Sequence, residues 1–295
     1  MTARRASAVL LVLTLAGVAG ARGDPADRTP APLPQVTVDA ARIALEKRVS
    51  RYVSLLTRRA GRNDSLQRWQ EPVCPLVAGL GRPQGEFMLA RISAIAREAQ
   101  VPLGPSVCHP NFYIVATLDP AALLKSWERH DRRIYSGGQP AAVQRFLAHD
   151  RPVRVWYNTT FGSRDNGPVD SENAALGTRL RVPVNDRADS SRLLFTDLIL
   201  LSSVIVVIDM RKVEDLQYGQ LTDYVAMLGF TELDPDLDFG DAPSILQLFR
   251  PRAAAERPAG LTPWDAAFLR SLYATDQSSV MQRETIIERM MKTLP

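Results

Sequence analysis

Two aspartates stand where this chain could do acid–base chemistry. Asp209 ends the strongly apolar run 204–208, and Asp223 lies in the next helical stretch, 217–228. Two carboxylates held in different environments can divide into a general acid and a general base. A metal-independent hydrolase using Asp209 and Asp223 is therefore one expectation. The competing expectation is structural: Asp209 caps the turn into Arg211 and Lys212, and Asp223 bonds a neighbouring loop. Buried polar groups are usually satisfied within the fold.

Other chemistry is sparsely provided for. The three histidines are His109, His130 and His149, and no two stand one helical turn apart. A catalytic zinc needs about three protein ligands, so no metal site is expected. Asp234, Asp236, Asp238 and Asp241 offer oxygen ligands for calcium or magnesium, but their spacing lacks the EF-hand glycine and terminal glutamate. They read as a solvated loop. Cys108 beside His109 imitates a thiol–imidazole pair, yet neighbours on an extended chain point to opposite sides. Neither a nucleophile-elbow signature nor a phosphate-binding glycine loop is present. No cofactor is expected. The sequon Asn158-Thr159-Thr160 reads as coincidence.

The elements that must position these groups follow from periodicity. Ile43, Leu45, Val49, Val53 and Leu56 suit an amphipathic helix over 41–59. A short strand is expected at 72–77, and a helix at 87–99 with Phe87, Leu89, Ile92, Ile95 and Ala96 on one face. A buried strand follows at 111–118. Strand, helix and strand together imply a parallel pair with a crossover. Helices are expected at 120–132 and 140–149, strands at 153–161, 193–200 and 204–209, and an exposed loop at 163–183. After the helix 217–228 comes an acidic loop, 232–243, and a short apolar element, 244–249. Thr262-Pro263-Trp264-Asp265 is a helix start, with a capping threonine, a first-turn proline and an acid near the dipole's positive end. A last helix covers 279–292. On the helix 217–228, Leu221, Tyr224, Val225 and Leu228 share the inward face, while Thr222, Asp223, Ala226 and Phe230 lie nearer a cleft.

The order of these elements resembles the zincin metallopeptidase core, whose last helix carries His-Glu-x-x-His-x-x-Gly. The matching stretch here runs from Thr222 to Gly229. Asp223 takes the place of the glutamate, Thr222 and Ala226 take the places of the histidines, and Gly229 falls where the zincin helix turns. Pro243-Ser244-Ile245-Leu246 resembles the Ser-Ile-Met segment beneath zincin sites. Leu261-Thr262-Pro263-Trp264-Asp265, continuing to Leu272-Tyr273, resembles the helix that closes those domains. The whole chain is similar to a group of uncharacterised secreted bacterial proteins, through Trp69, Pro72-Val73-Cys74-Pro75, Cys108, Pro110-Asn111, Asp209, Asp223-Tyr224 and the closing Leu-Thr-x-Trp-Asp. The resemblance implies an α+β fold: a mixed β-sheet with flanking helices, a zincin-like core and C-terminal helices. It also implies a degenerate zinc site, since an alanine cannot bind metal. What remains along the cleft is Thr222, Asp223 and Ala226, with donors from Gln220. That equips it to hold a peptide or cell-envelope ligand rather than to activate water. The strand 193–200 is expected to be exposed and open to strand addition.

The chain's start frames where this would happen. Met1-Thr2-Ala3-Arg4-Arg5, an apolar run to Gly20 and the small-residue exit Ala19-Gly20-Ala21 predict a cleaved signal peptide over 1–21. A proline-rich lead-in over 22–40 and one domain over 41–295 follow. Export to a periplasmic or secreted location favours a Cys74–Cys108 disulfide, the alternative being two buried thiols. No transmembrane segment is expected after signal cleavage. Losing Arg4 and Arg5 lowers the net charge from +4 to +2, too little to imply a nucleic-acid partner. The leading expectation is an exported, non-catalytic binding or structural protein.

Overall fold

The computed structural model describes residues 35–57, 66–130, 132–135, 140–163, 170–173, 178–181, 197–234, 239–251, 256–276 and 281–294. The expected signal peptide, most of the lead-in, and Asp236 and Asp238 lie outside them. The chain divides into two compact units, Met1–Ala41 and Arg42–Pro295. In the first, the described residues are the helical 35–41. The second unit holds the sheet and the helices packed on it.

The fold is α+β, with a four-stranded mixed sheet and flanking helices. The sheet comprises β1 (Pro75–Ala78), β2 (Phe112–Thr117), β3 (Val153–Ser163) and β6 (Asp197–Asp209), ordered β1-β2-β6-β3. The first three in that order are parallel, and β3 runs antiparallel to β6. A separate hairpin, β4 (Asp170–Asn173) with β5 (Thr178–Arg181), occupies part of the stretch expected to be loop. The expected strands 193–200 and 204–209 are one element. Ser202 and Ser203 do not end it: β3 pairs with β6 on both sides of a register shift that leaves Ser202 without a partner in that ladder. That pairing closes one edge of the strand expected to be open to peptide addition, while pairing of β6 with β2 begins only at Val204. Residues 197–200 lie against 160–163 of β3, Leu200 is buried, and Leu201 N donates to Arg68 O at 3.1 Å. Residues 193–196 are outside the described set.

Helices cover both faces of the sheet. On one side lie residues 42–56 of α1 (Gln35–Leu56), with α2 (Arg82–Ala99), α5 (Tyr218–Phe230), α6 (Pro263–Ala274) and α7 (Gln282–Thr293); on the other lie α3 (Pro120–His130) and α4 (Pro140–Ala148). Val204, Val206 and Ile208 of β6 face the first layer, while Ile205 and Val207 join Leu124, Phe146 and Trp156 in the second. A strand covered on both faces reads as an unbroken apolar run, which is what 204–208 is. Helix α1 starts inside the expected lead-in and is continuous. It buries Val49, Tyr52, Val53 and Leu56 at helical spacing. In α2 the buried stripe keeps Ile92, Ile95 and Ala96 of the expected face and adds Met88 and Ala99, while Leu89 is half-buried and Phe87 exposed.

Cys74 and Cys108 form a disulfide, tying the chain just before β1 to the chain just before β2. Asn111 reinforces the tie: its side chain accepts from Cys74 N at 2.7 Å and donates to Pro72 O at 3.0 Å. Asn158 is buried, donates to Ile134 O and Ser203 Oγ, and accepts from Trp156 Nε1, so the sequon asparagine is used by the core. Among the described residues, no helix is long and apolar enough to cross a membrane.

Candidate functional site

Helix α5 is apolar enough to sit inside the protein, and every residue from Leu221 to Phe230 is buried. It can lie close to the sheet because position 229 has no side chain. A Cβ on Gly229 would fall 2.0 Å from the Phe112 ring of β2. The helix continues through Gly229 to Phe230 instead of turning there, as the resemblance implied. Trp69 fastens the same spot by donating from Nε1 to Gly229 O at 2.7 Å.

Gln220, Thr222 and Asp223 of α5 have hydrogen-bond partners within the protein. Thr222 donates to Tyr218 O at 2.6 Å, a bond back along its own helix. Gln220 accepts from Gln217 N at 3.1 Å and donates to Pro258 O at 2.7 Å. Asp223 accepts from Arg91 of α2 through both of its oxygens, with Nη2 to Oδ2 at 2.6 Å, and from Leu261 N at 2.6 Å. Gly260 permits that approach, since a Cβ there would lie 2.6 Å from Asp223 Oδ2. Thr222, Asp223 and Ala226 are completely shielded from solvent. The face expected to border a cleft is thus packed under α2 and the 258–262 segment, and a ligand reaches it only if that packing opens.

Sequence reasoning missed Arg91. Its signal was present: position 91 falls one turn after Met88 and one turn before Ile95, on the buried stripe of α2. A charge on an apolar stripe demands a buried counter-ion, and Asp223 is that counter-ion.

Asp209 occupies the end of β6 and accepts from Arg211 N, Nε and Nη2 at 3.2, 3.1 and 3.1 Å. Burial pushes its carboxyl up, but the Arg211 hydrogen bonds and charge outweigh it and hold the group below the usual range. Asp209 and Asp223 share no partner: each is neutralised by its own arginine on a different element. Asp209 is the turn cap that the structural expectation described.

A third buried carboxylate gathers the C-terminal part of the fold. Asp265 Oδ1 accepts from Tyr52 Oη and Ser244 Oγ, both at 2.6 Å. Oδ2 accepts from Ile245 N at 2.8 Å and Thr262 N at 2.9 Å. Thr262 Oγ1 lies 2.8 Å from Oδ2 and 2.6 Å from Pro243 O, and its single proton serves one of them at a time. Desolvation pushes the Asp265 carboxyl up, and the donors pull it part of the way back. The segments 243–246 and 261–265, matched separately to zincin positions, are joined here through one side chain.

His109 is exposed beside a disulfide-bonded sulfur, which removes the thiolate of the imagined Cys108–His109 pair. His130 Nδ1 is held 2.7 Å from Ser126 O. Among the described residues, no three His, Cys, Asp or Glu side chains converge in a way that could hold a metal. Comparison with protein-family models, with curated proteins and with solved structures gives no match to this chain.

Proposed function

We propose that this chain is an exported, non-catalytic protein, periplasmic or secreted, that keeps a zincin-like scaffold after losing its zinc site. The observation that carries the reading is the state of α5. The positions matching the two zinc histidines are a threonine bonded to its own helix and a buried alanine. The position matching the catalytic glutamate is an aspartate bonded to Arg91 and Leu261 N. Three of the carboxylate's roughly four acceptor sites face protein donors, and complete burial keeps water from the remaining one. The strand order ending in an antiparallel edge beside the strand that leads into α5, and the joining of segment 243–246 to Asp265, both support the scaffold part of the reading. The disulfide supports export, because such bonds persist in oxidising compartments. In this reading the fold serves binding or envelope architecture through surfaces other than the buried α5 face.

The test is metal analysis of the protein purified without chelators, together with a general peptidase assay. Sub-stoichiometric zinc and no hydrolysis are expected. One-to-one zinc with chelator-sensitive cleavage of peptides would overturn the reading.

A further inference from the structure

A pocket of about 240 Å³ opens between α1, the 239–243 turn and α6. Its walls combine two kinds of chemistry. Half-buried Trp264 supplies aromatic surface, backed by the buried rings of Tyr52 and Phe239, and Arg48 and Arg51 supply two guanidiniums. Arg48 lies over the Trp264 ring, with Cζ 5.1 Å from the centroid. Arg51 lies over the Gly240 turn, where a Cβ would meet its Nη2 at 3.5 Å. Neither arginine forms an ion pair or hydrogen bond with another described residue. Among the described residues, the lining sets one acid, Asp241, against the two arginines.

The walls are held in place. Tyr52 is fixed at its hydroxyl by Asp265 at 2.6 Å and at its ring edge by Trp264, 5.4 Å between centroids. A preset aromatic wall beside two guanidiniums with no ion-pair partner among the described residues suits a ligand with a flat or bulky apolar body and one carboxylate. Arginine forks match carboxylates with two parallel hydrogen bonds, and a few placed polar groups on an apolar lining are the usual make-up of a small-molecule site. We infer that this pocket binds an apolar carboxylate, either a free small acid or the C-terminal residue of a peptide. The inference rests on α1 and α6 side chains and stands apart from the zincin-like reading.

The test titrates the purified protein with N-acetyl-phenylalanine, with the corresponding primary amide, and with a pentapeptide ending in phenylalanine with a free carboxylate. Binding is read by calorimetry and by tryptophan fluorescence. The acid is expected to saturate the protein, and the amide to bind about tenfold or more weakly. Arg51→Gln should weaken the acid by about the same factor and leave the amide unchanged. Arg51 is exposed, so this variant keeps the wild-type melting temperature, and Arg48→Gln provides a second reading. Trp264→Phe should abolish the fluorescence change. Pentapeptide binding at least as tight as the acid assigns the site to peptide C-termini; exclusion of the pentapeptide assigns it to a free acid. Equal affinity for acid and amide, or acid binding indifferent to both arginine substitutions, would overturn the inference, as would no saturation by the acid or the pentapeptide.

Discussion

Arg91 on α2 and Asp223 on α5 form a two-pronged ion pair whose carboxylate is sealed from solvent while the guanidinium side chain stays 41% exposed. Removing one partner of such a pair strands the other, which costs about 3–5 kcal/mol for fully buried pairs. The exposed arginine places this one near the lower end. Asp223→Ala is therefore expected to lower stability by about 3 kcal/mol in urea unfolding. The double variant Asp223→Ala with Arg91→Met should recover part of that loss, because no unpaired charge remains. A double variant as unstable as the sum of the two single changes would show that the pair is not coupled.

Gly229 tests the packing beneath the same helix. A Cβ at 2.0 Å from the Phe112 ring cannot be absorbed by a small adjustment. Gly229→Ala is expected to destabilise by about 1–3 kcal/mol, the usual range for overpacking, despite alanine's better helix propensity. Phe112→Leu in the same chain should restore much of the loss by making room. Thermal unfolding of the four variants in the cycle measures this. A stabilised Gly229→Ala would mean that α5 sits further from β2.

How much of this was legible in the sequence depended on range. Local chemistry read well: Thr262 and Asp265 cap α6 as their spacing implied, with Asp265 N donating to Thr262 Oγ1 at 3.1 Å. The apolar run 204–208 read as a buried strand, and the two cysteines read as a disulfide. Long-range pairing did not. The partner of Asp223 lies 132 residues away, and the partners of Asp265 on α1 and at Ser244 lie 213 and 21 away. Helical-wheel reasoning placed Thr222, Asp223 and Ala226 on a less apolar face and took that face to be open. A second helix carrying one arginine was enough to cover it. The expected strands 193–200 and 204–209 left out 201–203, but pairing with β3 resumes beyond a register shift at Ser202 and joins them into β6.

The disulfide closes a loop of 34 residues around β1 and α2. Chain-entropy reasoning assigns it about 4 kcal/mol as an upper figure. Replacing Cys74 and Cys108 together by alanine should lower the urea midpoint and leave α5 and α6 folded at low denaturant, since neither helix is inside the loop. Far-ultraviolet circular dichroism with the midpoint measurement checks both parts. An unchanged midpoint would place the crosslink outside the cooperative core.

Acid should expose opposing contributions from two carboxylates. Asp209 is held below its ordinary range by Arg211, so its contribution is present above the unfolded-state value, about 3.9, and is lost as pH falls through its folded value. Asp265 is raised by burial. Its contribution is present below about 3.9 and is lost as pH rises through its folded value. Asp209→Asn should therefore be slightly less stable than wild type near neutrality and flatten the fall in stability on the acid side. Arg211 is mostly exposed, which keeps the neutral-pH effect below about 1 kcal/mol. Asp265→Asn should instead flatten the weakening that begins as pH climbs above about 4. With its oxygen toward the Ile245 and Thr262 N–H groups, its amide nitrogen meets the Tyr52 and Ser244 hydroxyls, which must turn from donating to accepting, so the variant should also lose about 1 kcal/mol at every pH. Urea midpoints collected from acid to neutral for the three proteins decide the matter. An Asp209→Asn protein that keeps the wild-type acid slope would remove Arg211 as the group that holds this carboxylate down.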